Sequence, residues 1–113
     1  MSQFISRDDL KTLIASSKQH TIVEALPKQY YEAEHLPGAI NIPHDAVSKS
    51  VSSFIPDKSR PVVVYCANTE CRNSHAAAEA LRELGYSHVY EYTEGKKGWK
   101  DAGLPLEKGR AAK

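Results

Sequence analysis

Cysteine is scarce in this sequence: two residues in a chain of 113. Such a pair is too small for the disulfide framework of a secreted mini-protein and points to the reducing cytoplasm. Charge of one sign is missing as well. Fifteen basic residues against fourteen acidic leave a formal +1, no field strong enough to argue for nucleic-acid binding. No apolar run approaches the roughly 20 residues of a membrane helix. Met1-Ser2-Gln3-Phe4 leads into charged residues instead of an apolar h-region, so no signal peptide is expected. Internal repeats and low-complexity tracts are lacking too. What remains is one domain's worth of chain, able to bury roughly two-thirds of its unfolded surface without disulfide or metal. The domain is read as residues 1–107, with 108–113 a basic tail expected to fray.

Apolar spacing supplies the elements. Ser6-Arg7-Asp8-Asp9 has the form of a helix N-terminus, and Leu10, Leu13 and Ile14 follow at helical spacing. Ser16, Ser17 and Lys18 end that helix before a short strand at Thr21-Ile22-Val23, which Leu26-Pro27 stops. Gln29 to Glu34 predicts a helical turn, Ala39 to Ile42 a second strand, and Ala46 to Phe54 a helix with Val47, Val51, Phe54 and Ile55 on one side. Val62-Val63-Val64-Tyr65 is β-branched without alternation, as in a strand covered on both faces. Ala77, Ala80, Leu81 and Leu84 mark the strongest helix, closed by Gly85 at a left-handed cap. Val89 to Tyr92 is a further strand, and Gly95 to Ala102 a last helix that Trp99 anchors in the core. Alternating strands and helices predict an α/β domain with a mostly parallel central sheet and helices on both faces.

Ligands of open α/β sheets sit at the carboxyl ends of strands. Cys66 directly follows the best strand and precedes a short loop and the strongest helix. Backbone N–H groups at such a helix entrance cradle anions, and a thiolate placed there is stabilised. Cys66 is therefore the candidate nucleophile, and Ala67, Asn68, Thr69, Glu70, Cys71 and Arg72 the candidate substrate-binding loop. Arg72 adds a cation and a bidentate fork for an oxyanion. Glu70 opposes an anion unless it faces solvent or pairs with Arg72. The plainer reading of Cys66 is a buried structural thiol.

Cys71 keeps three readings: a resolving thiol for an oxidised or persulfidated Cys66, a small packing residue, or a zinc ligand with Cys66 and His75. The zinc reading is one ligand short. Asn73 or Ser74 is expected to cap the helix, with Thr69 and Ser74 as further hydroxyl donors. His35 and His44 read as structural histidines. The last nineteen residues hold six Lys or Arg against two acids, a modest attraction for anionic substrates.

Three segments, His35-Leu36-Pro37-Gly38-Ala39-Ile40-Asn41-Ile42-Pro43, then Val62 to Cys66 with Arg72 and Ala76-Ala77, then Gly85-Tyr86, Val89, Glu94-Gly95, Trp99 and Ala102-Gly103-Leu104-Pro105, carry a family likeness. Together they resemble single-domain rhodaneses, a sulfurtransferase family. The resemblance implies a rhodanese-like fold and a two-step transfer. Cys66 takes the outer sulfur of a small anionic donor such as thiosulfate, the loop N–H groups hold the persulfide, and a thiol or other thiophilic acceptor (cyanide in the test tube) removes it. It implies no cofactor and no metal, while charge balance and run length already argue for no nucleic-acid or membrane partner. The sequence departs from the family pattern in several places. Glu24-Ala25-Leu26 replaces the usual Asp-x-Arg, so a structural arginine pairing is missing, and Glu34 replaces the glycine before the histidine. The loop is one residue longer than the usual Cys-x-x-Gly-x-Arg, lacks its glycine, and resembles a bacterial subset with Cys-x4-Cys loops. Its Cys-x5-Arg count also matches rhodanese-fold phosphatases and arsenate reductases. A non-catalytic redox or sulfur-sensing domain using a Cys66–Cys71 disulfide is the third alternative.

Overall fold

The computed structural model describes residues 4–16, 19–68 and 71–109. Helix α1 (Arg7–Ala15) leads into strand β1 (Thr21–Glu24), α2 (Lys28–Ala33) and the short β2 (Ile40–Asn41). A 3-10 turn at His44–Ala46 runs into α3 (Val47–Phe54), then β3 (Val62–Tyr65), α4 (Asn73–Glu83), β4 (Val89–Tyr92) and α5 (Gly95–Asp101). The four strands form one sheet in the order β2-β1-β3-β4, every pairing parallel, with β3 central between β1 and β4. Among the described residues no helix is long and apolar enough to cross a membrane.

Successive β3 residues point to opposite faces and split the core in two. Val62 and Val64 join the residues of α3 and α4, Val51, Ala77 and Leu81 among them. Val63 and Tyr65 join Leu10 of α1, Tyr31 of α2 and Trp99 of α5. That division explains the unbroken apolar run: neither face of β3 meets water.

Local chemistry sets the helix ends. The Ser6 side chain accepts from the Asp9 N–H at 3.1 Å and caps α1. Gly85, at φ +98°, closes α4. Its N–H donates to Arg82 and the Tyr86 N–H to Leu81, the paired bonds of a Schellman cap. Trp99 is buried, donates from Nε1 to the Pro105 carbonyl at 2.7 Å and meets Tyr92 edge-on.

Three expectations change. Phe54 is 55% exposed, because Val47, Val51 and Ile55 already fill the inward stripe of α3. Ala46 belongs to the 3-10 turn that feeds this helix. Arg72, and neither Asn73 nor Ser74, occupies the α4 cap position, and no side chain bonds there. Ser17, Lys18 and residues 110–113 of the tail lie outside the described residues. Glu107, just before the tail, exchanges backbone bonds with His35, and within the tail the Gly109 N–H donates to Glu32.

Candidate active site

Parallel pairing aligns the carboxyl ends of β1, β3 and β4 on one rim, and Cys66 is the first residue beyond β3. It is 1% exposed. Its Sγ lies 3.6 Å from the Ser74 hydroxyl, which the first turn of α4 turns inward. That placement explains why Ser74 does not cap the helix. When Cys66 is a thiolate, the same hydroxyl can donate to it.

Cys71 sits at the far end of the loop, half-buried, and is joined to Cys66 in a disulfide with a Cα–Cα separation of 6.3 Å. The Cys71 N–H donates at 3.2 Å to both the backbone carbonyl and the side-chain oxygen of Asn68. One loop N–H expected to face Cys66 is therefore spent on closing the loop upon itself. Ala67 and Asn68 lie with Cys66 on the near side, while Thr69 and Glu70 fall outside the described residues. Arg72 is exposed at the head of α4, its guanidinium without a described partner. His75, the third ligand of the zinc reading, directs Nδ1 to Glu91 and Nε2 to Glu79, each at 3.3 Å. Among the described residues no group of three His, Cys, Asp or Glu side chains gathers as a metal site.

The start of α5 fixes the near side of the loop. Lys96 N–H donates to the Cys66 carbonyl at 2.9 Å and Lys97 N–H to Ala67 at 2.8 Å. Gly95 makes this approach feasible. It adopts φ +68°, and a Cβ there would lie 2.5 Å from the Cys66 carbonyl oxygen and 2.8 Å from the Asn68 nitrogen. The Glu94-Gly95 pair carried part of the family resemblance; the structure supplies its physical reason.

Lys96 has a second task. Its ammonium donates to the buried Glu24 carboxylate at 2.9 Å, to the Tyr30 carbonyl of α2 at 2.9 Å and to the carbonyl of Glu34, which caps that helix, at 2.6 Å. The other Glu24 oxygen accepts from the Tyr65 hydroxyl at 2.6 Å, which in turn accepts from the Leu36 N–H at 3.0 Å. Burial, then the neighbouring Glu24 charge, pushes the Tyr65 phenol well above its ordinary range. This network supplies from α5 the cation that the missing arginine left unassigned. Composition counted Lys96 only as surface charge, and the clue to its role was the lone acid Glu24 at the end of β1.

His35 is structural: it is buried, stacks on Tyr31 with ring centroids 3.8 Å apart, and pairs through Nδ1 with the Tyr31 carbonyl. His44 is exposed at the start of the 3-10 turn, held by its N–H to Ala25. Beside Ala67, a cavity of about 300 Å³ opens between α2 and α5, with Tyr30, Lys97 and Lys100 on its wall. Both of those lysines are ion-paired, Lys97 with Asp101 and Lys100 with Glu34. A second cavity of similar size, lined by Leu13, Pro61 and Tyr90, includes residues at the amino ends of the strands and does not include Cys66.

A buried sulfur at the carboxyl end of a central parallel strand, followed by a loop and a helix N-terminus, is an arrangement in which a thiolate can be stabilised and act as a nucleophile. The sequence pattern of the Rhodanese-like domain matches residues 6–102, and the chain belongs to that family. It is 42% identical over 91 residues to the thiosulfate sulfurtransferase PspE of Escherichia coli, covering 80% of this chain and 81% of that protein. The solved structure described as rhodanese with anions from E. coli superposes with a TM-score of 0.66 at 38% identity, over 80% of this chain and 99% of that one. The dual specificity phosphatase ibp1 of Schizosaccharomyces pombe is 29% identical over 80% of this chain and 67% of its own length.

Proposed function

We propose that this single domain, residues 1–107, is a rhodanese-type sulfurtransferase with Cys66 as its sulfur carrier. The observation that carries the reading is the position of Cys66, between the end of β3 and the head of α4. The identity with a named thiosulfate sulfurtransferase supports it. In the first half-reaction the Cys66 thiolate attacks the outer sulfur of thiosulfate; the S–S bond of the donor breaks, sulfite departs, and Cys66 holds a persulfide. In the second, a thiophilic acceptor takes that sulfur, cyanide becoming thiocyanate, and the thiolate returns. The residues of the loop, Ala67 to Arg72, bind the anionic donor, and the loop is read as the Cys-x4-Cys type. No step calls for a cofactor or metal. The chemistry starts from Cys66 as a free thiol, the state a reducing compartment such as the cytoplasm maintains.

Thiocyanate formation from thiosulfate and cyanide tests the reading. The reduced wild type is expected to turn over with ping-pong kinetics, Cys66→Ser to lose activity altogether, and Cys71→Ser to keep most of it. Equal loss in both variants would overturn a single nucleophile. The Cys-x5-Arg count and the likeness to a phosphatase favour a second reading as an oxyanion enzyme. Aryl phosphate hydrolysis or arsenate reduction without thiocyanate would establish that one. If none of these activities is found, the Cys66–Cys71 disulfide itself becomes the function, in a redox or sulfur sensor.

A further inference from the structure

Two sulfurs at one strand end have a chemical consequence that a lone nucleophile does not. Cys66 and Cys71 are 6.3 Å apart at Cα, inside the roughly 4.4–6.8 Å that disulfides span, and they are bonded to each other. The loop between them is held at both ends. Lys96 and Lys97 N–H groups grip its near side, and the Cys71 N–H closes on Asn68. Cys66 is 1% exposed, whereas Cys71 is half-buried and already alongside it. A persulfide on Cys66 thus has an internal thiol beside it, which acts wherever no external acceptor such as cyanide is in excess.

We propose that Cys71 resolves the Cys66 persulfide and releases its sulfur as inorganic sulfide. The inference rests on the sulfurtransferase reading above. The Cys71 thiolate attacks the inner sulfur of Cys66–S–SH. The Cys66–Cys71 bond forms, the bond to the outer sulfur breaks, and the electron pair leaves with hydrosulfide. The two protein thiols are oxidised to the disulfide and the sulfane sulfur is reduced to sulfide. A dithiol then reduces the disulfide by exchange, becoming a cyclic disulfide itself, and restores both thiols. The oxidised state is accordingly the end of a turnover. Its place in a reaction sequence lies between a reaction that supplies a sulfane sulfur donor and one that consumes sulfide, with a dithiol reductant closing the cycle.

A single turnover without acceptor decides it. The reduced protein, freed of reductant under anaerobic conditions, receives one equivalent of thiosulfate; sulfite, sulfide and intact mass are followed. The wild type is expected to release about one equivalent each of sulfite and sulfide per chain and to finish two hydrogens lighter than the dithiol. Cys71→Ser should release sulfite, retain one added sulfur, and yield sulfide at least about tenfold more slowly. Past the first turnover, sulfide from the wild type should require dithiothreitol. A wild type that keeps the added sulfur and releases no sulfide overturns the proposal while leaving the sulfurtransferase intact. Absence of sulfite from both proteins overturns the sulfurtransferase reading, and this one with it. The wild-type result alone decides, whatever the folding of the variant.

Discussion

Cys66 and Cys71 share a side chain and a loop, and their surroundings differ. Cys66 is enclosed by β3, the Ser74 hydroxyl and the head of α4, while Cys71 stands beside Arg72 where the loop meets solvent. The position of Cys66 at the end of β3 is legible in the sequence because strand, loop and helix each leave a periodic or compositional mark around it. Ser74 was half-read. A serine near a helix start favours the cap on average, but here Arg72 takes that position and the hydroxyl turns to the sulfur. Arg72 carries the next prediction. It is exposed, six residues after Cys66, with no described partner to occupy its guanidinium. Arg72→Ala should raise KM for thiosulfate about tenfold, roughly the 1.4 kcal/mol of a modest charge-assisted contact, with kcat little changed. Arg72→Lys should recover part of that, keeping the charge but losing the planar fork. An unchanged KM in Arg72→Ala would remove the residue from the donor site.

At the scale of elements, the site depends on α5 being held against both β1 and the loop. Lys96 joins them, reaching a carboxylate 72 residues earlier in the chain. Both partners of that ion pair are buried, at 11% and 0% side-chain exposure. Removing one charge leaves the other, and two helix carbonyls, without compensation. Lys96→Met should therefore cost about 3–5 kcal/mol in urea unfolding, a large share of the roughly 5–15 kcal/mol typical of a whole domain. Adding Glu24→Gln should return part of the loss by removing the stranded charge. A Lys96→Met cost near that of a surface pair, below about 1 kcal/mol, would contradict the role given to the network. Apolar spacing, β-branching and turn residues predicted the described helices and strands because those marks lie among chain neighbours. The Glu24–Lys96 contact joins elements that only the fold brings together, so Lys96 looked like one more surface lysine. Phe54 failed for a related reason: helical spacing marks a face, but the packing of Val47, Val51 and Ile55 decides where the face ends.

Over the whole molecule, both faces of the sheet are closed by tyrosines whose hydroxyl groups are taken from water. Tyr31, Tyr65 and Tyr92 lie on the α5 side and Tyr86 on the α4 side. Burial raises all four phenols above their ordinary value; for Tyr92 it does so to about 12. Tyr31 and Tyr86 donate to the Ala39 and Ile55 carbonyls, which also favours the neutral form. A phenol with a raised folded pKa contributes stability that is fully present below its unfolded value, near 10. As pH rises from there toward the folded value, the unfolded chain loses the proton first. Each such phenol then forfeits about 1.4 kcal/mol per pH unit. Tyr92 forfeits this from pH 10 toward about 12 and the other three add in the same direction above pH 10, so the domain should lose stability steeply as pH rises through that range. Tyrosinate absorbance and loss of the helical circular dichroism signal are expected to rise and fall in one cooperative step. Tyr92→Phe is the clean probe, since the Tyr92 hydroxyl has no hydrogen-bond partner among the described residues and its removal breaks no bond there. That variant should shift the alkaline midpoint upward at unchanged or slightly higher stability at neutral pH. Tyr65→Phe removes a phenol as well, but strands Glu24 and the Leu36 N–H, and should lose about 1–3 kcal/mol at neutral pH. Tyrosinates forming one by one near pH 10 in a domain that stays folded would show that the two cores do not withhold these phenols from water.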